Sequence, residues 1–580
     1  MKWRYLDVSG QSPQKLDNEA DVNVSTGNGA DSFVQPGSMA TLQDLRESAP
    51  SLNDTFENAN QEIRHTEHTV ARNGDYRDHL MNNACSSFND VFLSNLSNEA
   101  AESVIWNLDD DGMDSFIDNS NLNSLLEYPL FKAIDDKVIT LSTHYFSNVC
   151  VINSCFDSKS NPFRSVIADL MTSSQFVFHL VMMTSASHLC HKEKEMVSVA
   201  WQHRQDAISY LINGRNLTGT GTFEAVLGSV LLGMTSAWHD PTALGISHIH
   251  TARNLFQQWM SEPEASDDSR STSFLLGIMA YWEAMVSFIT TQDLCALDYL
   301  TPLREQEASL ASVYPHPWTG VSTTIFIYAA QASTLCRQNR TTKIISTSIK
   351  PIDVRESIFN EQYSKASELE AKILEYSPPA SDRIRDSDDS FTTVSHFQCL
   401  AQIYRFAVLL QLYITFPKLL RKSNMYMSIP GADPSSETVQ RLYDQAMVGL
   451  AVNILNLISS IPESCGVKVL LTVPLLIAGS SLQKVQIHKE KIENLTIEHE
   501  MMSAHCTDFM ISHWRTLVRH KLKQLHDFVG LDPILRALRI LEAVWLRSDL
   551  AMSSTSSSSN PKFVHWLDVM MEERLESIFG

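Results

Sequence analysis

Glycine is scarce, with 20 in 580 residues. That scarcity disfavours glycine-rich phosphate loops and turn-dense β-sandwiches, and it points toward helices. Paired cysteines are missing too. The nine cysteines, Cys85, Cys150, Cys155, Cys190, Cys295, Cys336, Cys399, Cys465 and Cys506, are scattered and form no CxxC pair. Several sit at apolar helical positions suited to buried, reduced thiols, which fits an intracellular protein. Positive charge is also in deficit: 45 Lys and Arg stand against 67 Asp and Glu, a formal charge of −22. The overall field therefore repels nucleic acid, and any DNA contact must be local.

Long apolar runs are missing as well. The opening "MKWRYLDVSGQ" lacks the core of a secretory signal, and no window holds the ~18 uninterrupted apolar residues needed to cross a bilayer. Two stretches come nearest: "LAQIYRFAVLLQLYITF" (400–416), broken by Arg405, and "VLLTVPLLIAG" (469–479), which is short. Both read as buried helices. No dense nuclear localisation cluster occurs, "RQNRTTK" (337–343) being weak.

Reaction motifs are equally lacking. There is no GxSxG elbow, Walker loop or GxGxxG turn, and "TGTGT" (218–222) has neither their context nor their spacing. In "HEMMSAH", His499 and His505 are six residues apart and so face roughly 240° away from each other on a helix, unlike the four-residue pair of a zinc protease. Two further groups, His188 with Cys190 and His191, and His239 with His248 and His250, have no partner that the sequence places beside them, and helix-end or core histidines account for both. We expect no catalytic, cofactor-binding or metal residue at any of these positions and no enzymatic turnover. A hydrolase with a dispersed triad is the reading left over.

Apolar periodicity, in contrast, is abundant. In the run that begins at Asn161, that residue is placed to cap a helix and Pro162 suits its first turn, with Phe163, Val166, Ile167 and Leu170 on one face. Ser173 and Ser174 are candidate caps for a second helix bearing Val177, Leu180 and Val181. "TFEAVLGSVLLGMTSAW" (222–238) forms another stripe with Thr222 as its expected cap, and Asp240 and Pro241 are expected to restart a helix carrying Leu255, Phe256 and Trp259. Further helices are predicted at 274–289, 320–337, 355–376, 391–416, 436–460, 501–525, 533–548 and 562–578. The fold class expected is all-α, a large multi-helix bundle or superhelical array.

The first 120 residues read differently. Residues 9–120, rich in Asn, Ser, Asp and Glu, are expected to form a disordered arm. At its end, residues 102–131 mix acidic side chains with Trp106, Leu108, Met113, Phe116 and Ile117 and contain no Lys or Arg. That composition suits partner binding, and a lead-in to the first helix explains it equally well. The basic helix "HWRTLVRHKLKQLH" (513–526) carries Arg515, Arg519, Lys521 and Lys523, and a solvated face accounts for it better than phosphate contact.

The order of motifs resembles the fungal-specific transcription factor domain, the regulatory region accompanying zinc binuclear clusters. "NPFRSVIADLMTSSQFVFHLVMMTSASHL" (161–189) is similar to its opening, "AVLGSVLLGMTSAW" and "ISHIHTARNLFQQW" to its next two helices, "YPHPWTGVS" (314–322) to a loop, "LAQIYRFAVLLQLY" to the long central helix and "FVHWLDVMMEE" (563–573) to the closing segment. In the loop, the prolines and Gly320 shape a turn, and Trp318 offers a surface whose burial contributes roughly 2–3 kcal/mol.

The resemblance implies a nuclear transcriptional regulator, with residues 121–580 as its all-α regulatory domain. Its partners would be transcription machinery or coregulators, with a small-molecule effector and a homodimer left open, and no membrane. The family's six-cysteine zinc module is not formed by the cysteines here, so DNA would be reached only indirectly or through a missing N-terminal cluster. Residues 1–8 resemble the segment after such a cluster, which suggests that Met1 is internal to a longer product or that a first exon is lost. The alternative is a helical interaction scaffold or corepressor that never contacts DNA.

Overall fold

Asn161 and Pro162 open a helix as their chemistry dictates: the Asn161 Oδ1 accepts from the Phe163 backbone N–H at 3.0 Å, and the proline gives up an N–H that would have had no partner. The structure, a computed structural model, describes residues 136–214, 218–262, 268–301, 312–346, 352–422, 437–484, 508–554 and 563–579. The acidic segment 102–131, with Trp106 and Phe116, and His499, His505, Cys85 and Cys506 lie outside the described residues.

Helix succeeds helix. Asp136–His144 (α1) runs on through a π-helical turn, Tyr145–Val149, into Cys150–Ile152. Then come Pro162–Ser173 (α2), Gln175–Leu189 (α3), Met196–Asn213 (α4), Thr220–Met234 (α5), Ile246–Ser261 (α6), Ser269–Val286 (α7), Thr323–Ile345 (α8), Ile352–Glu375 (α9) and Val394–Thr415 (α10). Glu437–Ser460 (α11), Thr472–Ser480 (α12), Asp508–Val529 (α13), Pro533–Ser554 (α14) and Trp566–Glu572 (α15) complete the series. Among the described residues there is no β-strand, only two isolated bridges, Val313 with Ile384 and His316 with Gly320. The expected all-α class holds.

Helices pack mainly against neighbours in sequence: α3 on α4, α5 on α6, α7 on α8 and α13 on α14. Cross-links between pairs (α3 to α5, α5 to α7, α8 to α10 and α10 to α12) make one continuous core. α10 is long and apolar enough to span a membrane by composition, but 72% of its most apolar window is buried against other helices. Its Arg405 reaches out to cap α9, donating to the carbonyls of Ile373 and Leu374. The predicted loop at 314–322 anchors as expected. Trp318 is buried between Phe163 and Tyr281 and donates to the Asn153 carbonyl at 2.9 Å, while Gly320 turns the chain at φ +59°.

Several local expectations are corrected. Thr222 does not cap α5, which starts two residues earlier after Gly219, and the Thr222 hydroxyl instead donates to the Glu262 carboxylate at 2.8 Å. Asp240 ends the short helix Ser236–His239, and α6 starts only at Ile246, after Gly245 in the left-handed region. A Cβ on Gly245 would lie 2.4 Å from the Gly233 carbonyl oxygen, so contact with α5 decides that start. α13 begins at Asp508 within the described residues and extends to Val529. The last helix stops at Glu572, since Arg574 takes a left-handed conformation, and Ile578 and Phe579 are buried as an irregular tail. α4, Met196–Asn213, had no counterpart in the predicted series. Its buried face is built on Ala200, Arg204, Ala207, Ile208 and Leu211, and a buried arginine interrupts the apolar stripe.

Candidate functional site

Burial decides which polar groups remain available. Near the core centre, the Arg253 guanidinium makes a two-pronged pair with Glu283, at 2.6 and 2.7 Å. Glu283 has no exposed side-chain surface, Tyr299 donates to its Oε1 at 2.8 Å, and Arg253 also donates to Gln292. Every strong acceptor there is satisfied, so the network holds α6 on α7 and leaves no group to react.

The sequence-derived histidine groups come apart in three dimensions. Arg204 donates to His248 Nε2 at 3.1 Å, and burial with that cation beside it pushes the imidazole down to about 3. His239 packs edge-on to Trp201, its pKa brought to about 4 by burial and then Arg204. His188 joins neither Cys190 nor His191. Its Nε2–H donates to the Val529 carbonyl at 2.9 Å, and its Nδ1 accepts from His144 Nε2–H at 2.8 Å. Asn148 donates to the remaining His144 nitrogen, so a relay runs from α1 through α3 to the end of α13. The Cys190 thiol donates to the Ala186 carbonyl, and burial raises its pKa to about 11, which keeps it protonated and unreactive.

One set converges that the sequence reading did not single out. His179 of α3 and His203 of α4 face each other with their Nδ1 atoms 2.8 Å apart, and Asp206 Oδ2 lies 3.6 Å from His179 Nδ1. Among the described residues this is the set of three His, Cys, Asp or Glu donors within ligand reach, all within 4.8 Å of one another. His203 and Asp206 are three residues apart, on one face of α4. Gln202 donates to both Asp206 oxygens, and Tyr210 stacks on His179 with centroids 5.7 Å apart. Burial lowers both imidazoles, His203 to about 4, only partly opposed by the nearby carboxylate. A His-x-x-Asp spacing was the available signal, but it needs a partner helix to mean anything.

A cleft of about 410 Å³ opens where the end of α11 meets α12 and α13. Ile461, Leu471, Leu475 and Leu525 supply apolar lining, with Lys468, Lys521 and Glu463 also at the cleft. Lys468 Nζ sits 3.6 Å over the Phe528 ring, and burial lowers its pKa. Lys521 pairs with Glu463 at 3.5 Å, and Gln524 donates to the same carboxylate. Two arginines of the basic helix are committed within the chain. Arg515 is buried, binding the Leu482 carbonyl and Asp549, which corrects the expectation of a wholly solvated face. Arg519 pairs with Glu542 and stacks on Trp545, while Lys523 is exposed.

Comparison with known families places this architecture. The fungal specific transcription factor domain matches residues 140–580, about three quarters of the chain, and the chain belongs to that family. No curated protein and no solved structure matches it.

Proposed function

We propose that this member of the fungal-specific transcription factor domain family is the regulatory part of a fungal transcriptional regulator that acts in the nucleus by binding, without turnover. The match over residues 140–580 carries the reading. The interior supports it: the Arg253–Glu283 network, the His248–Arg204 contact and the protonated thiols are internally satisfied, which suits a scaffold that presents surfaces. DNA is reached indirectly, through transcription machinery or coregulators, or through a zinc cluster that the cysteines of this sequence do not form. The cleft beside Lys468 and Lys521 suits a small effector with an apolar body and an acidic end, which would compete with Glu463 for the two ammonium groups. Occupancy there would bias how α11, α12 and α13 pack.

Fusing the full chain to a heterologous DNA-binding domain tests the reading, with a change in reporter transcription expected; none in either direction rejects it. Chromatin occupancy without direct DNA binding in vitro is the pattern expected of a tethered regulator. Absence from chromatin would point to a scaffold working elsewhere.

A further inference from the structure

We propose that His179, His203 and Asp206 form a divalent-cation site, selective in the first place for zinc, on the seam between α3 and α4. A tetrahedral zinc ion with ligands at about 2.0–2.1 Å holds its donor atoms roughly 3.3 Å apart. The observed spacings of 2.8 Å between the two Nδ1 atoms and 3.6 Å from His179 Nδ1 to Asp206 Oδ2 bracket that value. All three donor atoms lie within 4.8 Å of one another, so small side-chain adjustments would seat the ion.

The donor chemistry fits. Two imidazole nitrogens and one carboxylate oxygen are the borderline-to-hard set that zinc takes at three-ligand sites, where water fills the fourth position. Without a cation, the paired Nδ1 atoms require one ring to be protonated there; with one, both rings place their proton on Nε2 and both Nδ1 lone pairs point at the metal. Gln202 holds the carboxylate by its oxygens, and the stacked Tyr210 fixes the plane of His179, the orienting contacts that a metal site uses. Tyr210 and Gln202 are both exposed, so the fourth position faces solvent. By contrast, in the His144–His188 pair, equally close at 2.8 Å, Asn148 donates to His144 Nδ1 and so fixes that ring's proton on the facing Nε2, which makes it a donor and not a ligand. The cation would staple α3 to α4 on a chain carrying a net charge of −22, which favours its uptake.

The test uses the full 580-residue chain, stripped with a chelator and titrated with Zn²⁺ by calorimetry, and with Co²⁺ by visible absorption. One tight equivalent is expected, with a ligand-field band that saturates at the same ratio. His179→Ala and His203→Ala should each weaken binding by at least the roughly 10- to 100-fold that loss of an outer contact costs. His513→Ala, at an exposed position on α13, should leave the affinity unchanged. No tight equivalent, or unchanged affinity in both histidine variants, overturns the proposal. Should circular dichroism show either variant unfolded, the half-exposed Asp206→Asn decides, and an unaltered affinity there overturns it equally.

Discussion

Two histidine pairs, both with ring nitrogens 2.8 Å apart, sit on the same helix and have opposite characters. At the end of α3, His188 and His144 form part of a closed relay that ends on a backbone carbonyl, so each nitrogen has a partner and the pair acts as a bolt between α1 and the end of α13. Nearer its start, His179 meets His203 with one proton between their two Nδ1 atoms, and a carboxylate oxygen lies 3.6 Å from His179 Nδ1. Distance alone does not distinguish a structural contact from a binding site. What separates them is the third donor: among the described residues, Asp206 converges on one pair and no His, Cys, Asp or Glu donor does so on the other.

The strongest way to break this contrast is to remove a fully committed partner elsewhere in the core. Glu283→Ala strands the buried Arg253 charge and should cost about 3–5 kcal/mol in denaturant unfolding. A loss below about 1 kcal/mol would mean that committed networks here carry little. Zinc gives the sharpest contrast between the pairs. At a hundredfold excess over its Kd it should stabilise the unaltered chain and His188→Ala by about 2.7 kcal/mol but His179→Ala by about 1.4 kcal/mol or less, read as a shift in unfolding midpoint. Equal stabilisation of all three would erase the distinction.

His188→Ala itself should cost about 1–3 kcal/mol, because it leaves His144 and the Val529 carbonyl without their partner. Acid should act on both pairs. His144 and His203 are held near 4 when folded and regain the ordinary 6.5 when unfolded. Below pH 6.5 the unfolded chain therefore takes up protons that the folded chain refuses, and stability falls as pH drops from about 6.5 toward 4. His203→Gln should flatten that slope in unfolding midpoints measured across the range; an unchanged slope would contradict the burial described. Smallest of all, Lys523→Ala at an exposed position should stay within about 0.5 kcal/mol of the unaltered chain.

Much of the fold was legible in one dimension because apolar spacing and cap chemistry are local. Asn161 with Pro162 and Ser174 each start the helix expected of them, and α9, α10 and α11 begin and end within about three residues of their predicted bounds. α4 was not legible, because Arg204 lies on its buried face, and partners on other elements, among them the Leu232 carbonyl, Ser236 and His248, make that burial tolerable. The end of α15 was missed for a similar reason: the tail from Arg574 tracks the surface it packs on, where Ser577 donates to the Pro241 carbonyl. Histidines close in sequence come apart in the fold, and the set that converges joins residues 24 apart across two helices.

The amino-acid order by itself determined that this chain is helical, where most of its helices lie and which family it resembles, since each depends on periodicity and local caps. Only the tertiary structure decided which histidines are spent and which converge. Hydrogen-bond partners and desolvation come from elements distant in sequence, and no spacing along one helix encodes what the neighbouring helix brings to its face.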